Sequence, residues 1–204
     1  MPVSSHFFLP LGGLLSVLDD LKNAESLSDL AKVLGYRASA LAFIVHQIPP
    51  SSKYTVFAVP KKAGGVRTIS APIDRLKTLQ RHLSTILYEC RAEIDSAHKL
   101  KPLSHGFRKS QSIITNAHQH IKSRYVLNAD LEDFFPTINF GRVRGYLIKN
   151  NDFKLHADVA TVIAQIACHN NELPQGAPNL SARVESEVAS NASRPDEMAD
   201  DMPF

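Results

Sequence analysis

Along this chain the apolar positions switch between helical and strand spacing, and the switches divide it. Leu27, Leu30, Ala31 and Leu34 recur every three or four residues. Ser26-x-x-Asp29 in front of them has the form of an N-cap, and Gly35 ends the run. Residues 1–22 are apolar-rich but poorly patterned, with Gly12-Gly13 breaking any helix. After the connector Pro49-Pro50-Ser51-Ser52, residues 54–59 alternate with period two, Ala63-Gly64-Gly65 turns the chain, and Val66-Arg67-Thr68-Ile69 returns. That pattern predicts a β-hairpin with Lys61, Lys62 and Arg67 around its tip. Beyond Pro72, the residues Leu76, Leu79, Leu83, Ile86, Leu87, Cys90 and Ile94 mark the clearest helix, with Arg75, Lys77, Arg81 and Arg91 on its other faces. A helix is expected over about 112–123, a short buried strand over 125–131, and helices over 141–149 and 156–168. A Pro/Gly-bounded loop, Leu173-Pro174-Gln175-Gly176-Ala177-Pro178, follows.

Past Pro178 Ser, Ala, Asn, Glu and Asp dominate, and no aromatic appears until Phe204. Residues 179–190 have the makings of a helix, whereas the last dozen read as weakly folded. No internal repeat is visible. The length of 204 residues allows one sizeable core, or one domain with a tail. No apolar run is long enough to span a bilayer, and no basic n-region precedes Phe7-Phe8-Leu9. Cys90 and Cys168 are too few for a disulfide framework and too far apart for a zinc motif, so they read as reduced core thiols of a cytoplasmic protein. The nine histidines show no HExxH spacing.

The net charge of +3 conceals an asymmetry. Between Lys53 and Arg124 there are 14 Lys and Arg against Asp74, Glu89, Glu93 and Asp95, a balance of +10. From Asn179 onward two arginines face six acids, a balance of −4. A basic middle suits a polyanion such as nucleic acid, and a solvated surface accounts for it equally well.

Chemistry concentrates at Val126-Leu127-Asn128-Ala129-Asp130-Leu131-Glu132-Asp133-Phe134-Phe135, where an apolar run delivers one aspartate ahead of an aromatic pair. A carboxylate near a buried strand is costly unless a cation or donors meet it. Carboxylate oxygens of this kind hold Mg²⁺, which completes its shell with water and substrate phosphates. A solvated Asp in a strand-to-helix turn is the plainer alternative.

Five blocks in order resemble bacterial reverse transcriptases, specifically those of retrons. They are the hairpin Phe57-Ala58-Val59-Pro60-Lys61-Lys62-Ala63-Gly64-Gly65-Val66-Arg67-Thr68-Ile69-Ser70-Ala71-Pro72; Leu76-Lys77-x-Leu79-Gln80 with Gly106-Phe107-Arg108; Asn116-Ala117-His118-Gln119-His120, similar to the NAxxH element of the retron branch; Leu127 to Ile138, similar to polymerase motif A; and Leu173 to Pro178, similar to motif B. The resemblance covers roughly residues 27–180. It implies an α+β fold, the fingers and partial palm of a right-hand polymerase with the thumb absent. The corresponding division is an N-terminal helical extension at 1–50, fingers and palm at 51–180, and a divergent acidic tail at 181–204.

The resemblance also implies roles. Asp130 would bind both catalytic Mg²⁺ ions, with the Leu131 carbonyl nearby. Phe135 would sit under the incoming sugar and discriminate against a 2′-hydroxyl. Lys61, Lys62 and Arg67 would neutralise the triphosphate, and Gln175 and Gly176 would contact nucleotide and template. The implied partners are dNTPs, a structured noncoding RNA serving as template and primer, and an effector protein in anti-phage defence, with no membrane. Each residue has a plainer reading as well. The lysines could be surface charges and Phe135 core packing, Asn116 and His120 a buried hydrogen-bonded pair, Arg108 an RNA contact or a turn residue, and Cys168-His169 structural.

The likeness breaks after motif B. Asn179-Leu180 stands where the family continues Thr-Ser-Pro, and the nearest counterpart of the motif C Tyr-x-Asp-Asp is Met198-Ala199-Asp200-Asp201-Met202, without the tyrosine. Either Asp200 and Asp201 are the remnant of motif C and complete the metal site, or they are a chance pair in an acidic tail. The sequence thus reads as a reverse transcriptase truncated or internally deleted after motif B, with impaired activity and marginal stability. The alternatives are a non-catalytic nucleic-acid-binding remnant, or an interaction module needing a partner in trans.

Overall fold

The computed structural model describes residues 16–60, 64–99, 105–106, 108, 110–127, 129 and 134–174. The chain divides into two compact units, one of residues 1–101 and 128–177, the other of 102–127 and 178–204.

The first unit is mainly helical. Helices α1 (Val17–Asn23) and α2 (Leu27–Val33) are seven residues each, too short to persist alone. Both are capped by serine; the cap of α2 is the one read from the sequence, whereas α1 and its Ser16 cap fall in the stretch read as poorly patterned. Ser16 Oγ accepts from Asp19 N, and Ser26 Oγ accepts from Asp29 N at 3.2 Å. Ser26 also donates to the Asp29 carboxylate at 2.6 Å and Lys32 donates from the next turn, which together hold Asp29 down at a pKa of about 2. Gly35, at φ 71°, ends α2 in the left-handed conformation that glycine adopts without strain.

Helix α3 (Ala38–Ala42) runs into a π-helical turn, Phe43–Gln47, whose Val45 carbonyl accepts from Lys53 Nζ at 2.7 Å. Strands β1 (Tyr54–Pro60) and β2 (Val66–Pro72) form the expected antiparallel hairpin, with Phe57 opposite Ile69 and Val59 opposite Arg67.

Helix α4 (Asp74–Ala97) is the long helix read from the sequence, and Leu76, Leu79, Leu83, Cys90 and Ile94 are buried along it. Its Glu93 carboxylate accepts from the Val17 and Leu18 amides and ties α1 down. After α6 (Phe134–Thr137), helices α7 (Phe140–Lys149) and α8 (Ala157–Ala167) pack on each other, and α8 packs on α4 and α2. The core that results is shared by distant segments: Leu21, Leu30, Leu41, Leu79, Val159, Ile163 and Ile166 are all essentially inaccessible. Burying each such side chain is worth about 1.5–3 kcal/mol.

In the second unit α5 (Ile113–His118) carries a capping box, with Ser112 Oγ accepting from Thr115 N and Thr115 Oγ1 accepting from Ser112 N. The sequence predicts helix to about 123, but the bonds after α5 shift to three-residue spacing, Gln119 to Asn116 and His120 to Ala117. Ile113, Ile114 and Ile121 are exposed, so no buried face supports a longer helix.

The expected buried strand at 125–131 is corrected over its described part. Tyr125, Val126 and Leu127 are exposed and in no strand, with Leu127 91% accessible. An apolar run becomes a strand only when neighbouring strands satisfy its backbone, and the one sheet among the described residues is β1–β2. The tail helix suggested at 179–190 lies outside the described residues.

Candidate nucleotide-binding site

Three of the segments singled out by the sequence meet within the first unit. Immediately after α6, residues 138–140 run antiparallel to 171–173. Leu173 N donates to the Ile138 carbonyl at 3.1 Å, Phe140 N donates to the Asn171 carbonyl at 3.0 Å, and Asn139 and Glu172 form an isolated bridge between them. Phe135 lies three residues before this junction and Gln175 two residues after it.

Asn170 and Asn171, both at positive φ, allow the sharp reversal in which His169 and Glu172 exchange backbone hydrogen bonds. Asparagine tolerates that conformation better than most residues. Asn139 in turn caps α7, its Oδ1 accepting from Arg142 N at 2.9 Å.

The hairpin joins the same place through its root. The Tyr54 ring lies against His169, with centroids 4.1 Å apart and planes tilted by 32°. Gln80 Nε2, from α4, donates both to Tyr54 Oη at 2.8 Å and to the Ile166 carbonyl at 2.9 Å in the last turn of α8. Burial pushes the Tyr54 hydroxyl up to about 12 and the Cys168 thiol up to about 11, and it lowers the His169 imidazole. These groups stay neutral near pH 7, which suits a packed joint. A reactive thiolate needs the opposite shift. The structural reading of Cys168-His169 fits this setting.

Among the candidate residues, Arg67 is exposed on β2 opposite Val59. Phe135 is half-buried in α6 and meets Phe134 edge-to-face at 5.5 Å. Arg108 is half-buried in a turn, its carbonyl accepting from Gln111 N. Asn116 and His120 are corrected as a buried pair. Both are exposed, and α5 ends at His118, before His120 can share a helical face with Asn116.

Lys61, Lys62, Asp130, Leu131, Gln175, Gly176, Asp200 and Asp201 lie outside the described residues. So do the oxygen ligands that the resemblance assigns to Mg²⁺, and among the described residues no three His, Cys, Asp or Glu side chains cluster as a metal site. The described part of this site therefore supplies the platform and leaves the fit of a metal to the undescribed carboxylates. Sequence reasoning quoted Gln80 within a family block and His169 as structural, but it did not bring them together with Tyr54 as a joint. One signal was available: Gln80 is a polar residue four positions after Leu76 in an otherwise apolar stripe.

Residues 59–180 match the family model described as reverse transcriptase (RNA-dependent DNA polymerase), which is more than half of the chain. The chain belongs to that family. Its relatives are of the retron type. It is 42% identical over 122 residues to the retron Mx65 reverse transcriptase of Myxococcus xanthus, an alignment covering 59% of this chain and 27% of that protein. It is 33% identical over 157 residues to the retron Ec86 reverse transcriptase of Escherichia coli, covering 76% and 45% respectively. The retron Mx162 reverse transcriptase of Myxococcus xanthus is 37% identical over 134 residues, covering 65% and 26%. The chain spans between about a quarter and less than half of the length of these relatives. No helix among the described residues is long and apolar enough to cross a membrane.

Proposed function

We propose that this chain forms the nucleotide-selecting fingers and partial palm of a retron-type RNA-directed DNA polymerase. Its reaction is addition of a dNTP to a primer end, directed by a structured noncoding RNA that acts as template and primer, in the cytoplasm and in the service of anti-phage defence. The observation that carries this reading is the antiparallel junction of 138–140 with 171–173 beside the hairpin root. It gathers the flanks of Phe135 and Gln175 and the base of the strand pair bearing Arg67.

In this reading the hairpin cations Lys61, Lys62 and Arg67 bind the triphosphate, the arginine through its planar fork. The Phe135 ring fills the space a 2′-hydroxyl would need. Gln175 and Gly176 position base and template, the glycine permitting close backbone approach. Asp130, the Leu131 carbonyl and, if they complete the site, Asp200 and Asp201 would hold Mg²⁺. When bound, that ion supplies charge stabilisation for the attacking and leaving oxygens of an in-line displacement.

Primer extension on an RNA template with Mg²⁺ and dNTPs tests the reading, with Asp130→Asn compared against the wild-type chain. Incorporation abolished by the substitution is the expected result. No incorporation by either chain, with RNA still bound in a salt-dependent manner, would instead select the non-catalytic binding remnant. Activity recovered only on adding a second polypeptide would select the module that works in trans.

A further inference from the structure

We infer that Gln80 is a positioning residue that fixes the hairpin relative to the loop leading to Gln175 and Gly176, and so sets the affinity for the incoming nucleotide. The inference rests on the function proposed above and adds to it a role for Gln80, which the second sequence block contains without giving it one.

Gln80 is the sole polar side chain in the buried core of the described residues. The Ile166 carbonyl can only accept, so the amide must turn its NH₂ toward it, and the same nitrogen then reaches Tyr54 Oη. This leaves Gln80 Oε1 buried without a hydrogen-bond partner. An unsatisfied buried acceptor costs about 1–3 kcal/mol, and a leucine or methionine here would move that cost onto the Tyr54 hydroxyl and the Ile166 carbonyl, which would lose their donor. The two bonds of Gln80 do something an apolar side chain cannot: they join the first residue of β1 to the last turn of α8 through α4.

The geometry makes that joint consequential. Tyr54 is 7% exposed, whereas the other six residues of β1 are all exposed, so the strand is gripped at one end. Beyond its root the hairpin is a lever of about 20 Å, from a strand rise of about 3.3 Å per residue. A rotation of about 10° at Tyr54 would displace the tip by about 3.5 Å over that length. That is enough to take a lysine or arginine out of hydrogen-bond reach of a phosphate. On the other side of the joint, Ile166 leads within three residues to His169, which stacks on Tyr54, and then to the 171–173 junction. One amide thus registers both nucleotide-contacting elements against each other.

The test is the affinity of the full chain for a fluorescent dATP analogue with Mg²⁺, measured for wild type, Gln80→Met, Tyr54→Phe and the double variant. Far-UV circular dichroism and thermal melts accompany each. Tyr54→Phe keeps the ring and its stack on His169, so it folds even if Gln80→Met does not. Ser26→Ala, which removes a remote helix cap, is the control for stability loss alone.

Each node variant is expected to weaken binding about tenfold, the change that about 1.4 kcal/mol of lost contact corresponds to. The double variant is expected to be no worse than Gln80→Met, because that substitution already removes the one bond that Tyr54→Phe removes. Ser26→Ala is expected to lower the melting temperature and leave affinity unchanged. Folded node variants that bind like wild type, or losses that simply add, would overturn the assignment while leaving the proposed function standing. Failure of the wild-type chain to bind the analogue would overturn both.

Discussion

The helical core and the β-hairpin are built from similar apolar residues, yet they use them in opposite ways. In the core, α1 to α4, α7 and α8 bring Leu21, Leu30, Leu41, Leu79 and Ile163 together until water is excluded. In the hairpin, Val56, Phe57, Val59 and Val66 remain accessible, and only Tyr54 at the root is buried. Apolar side chains at the correct spacing specify the local element in both regions. Only in the first does the rest of the unit close over them. The core is therefore where stability is held, and the hairpin is an arm that stability merely anchors.

That contrast is open to direct attack. Leu79→Ala should be the most damaging change. It removes a fully buried side chain in the second turn of α4 and should cost about 2–5 kcal/mol. Chemical denaturation would register this as a lowered midpoint, and a loss below 1 kcal/mol would mean the core is looser than its burial indicates.

A smaller effect is expected at the joint between the two regions. His169 is desolvated against Tyr54, so its folded pKa lies below the ordinary 6.5 although Glu172 opposes the shift. On acidification the unfolded chain takes up this proton first. The stabilisation that depends on neutral His169 is complete above about pH 6.5 and is lost as pH falls through the lowered folded value. Urea midpoints at several pH values between 5 and 7.5 should decline for the wild type and decline less for His169→Gln. Parallel curves would show that His169 does not govern the acid response.

The smallest change should come from Val66→Thr near the hairpin tip, where the side chain is 62% exposed and the β-branch is kept. Stability should stay within about 0.5 kcal/mol of wild type. A larger loss in a thermal melt would mean that the arm is packed rather than free.

Much of this architecture is legible in the residues themselves. The Ser26 cap, the Gly35 stop, the hairpin register around Gly64-Gly65 and the apolar stripe of α4 each have local causes, and each is found where the pattern places it. Family membership was legible as well, because it rests on blocks of sequence order rather than on geometry. Residues 125–127 were misread because hydrophobic alternation describes a strand's side chains and says nothing of the partner strand it needs. The longer form of α5 failed for a related reason, since nothing buries its isoleucines.

The candidate site divides in the same way. Arg67 and Phe135 could be picked out from their motifs, whereas the joint of Tyr54, Gln80, Ile166 and His169 could not. Its members are separated by as many as 115 positions and share no spacing rule. Local chemistry alone fixed caps, turns, periodicity and kinship, since each depends on residues within a few positions of one another. Which apolar face is covered, which amide faces which carbonyl, and where the hairpin is gripped were decided by tertiary packing, because those contacts exist only once distant segments have been brought together.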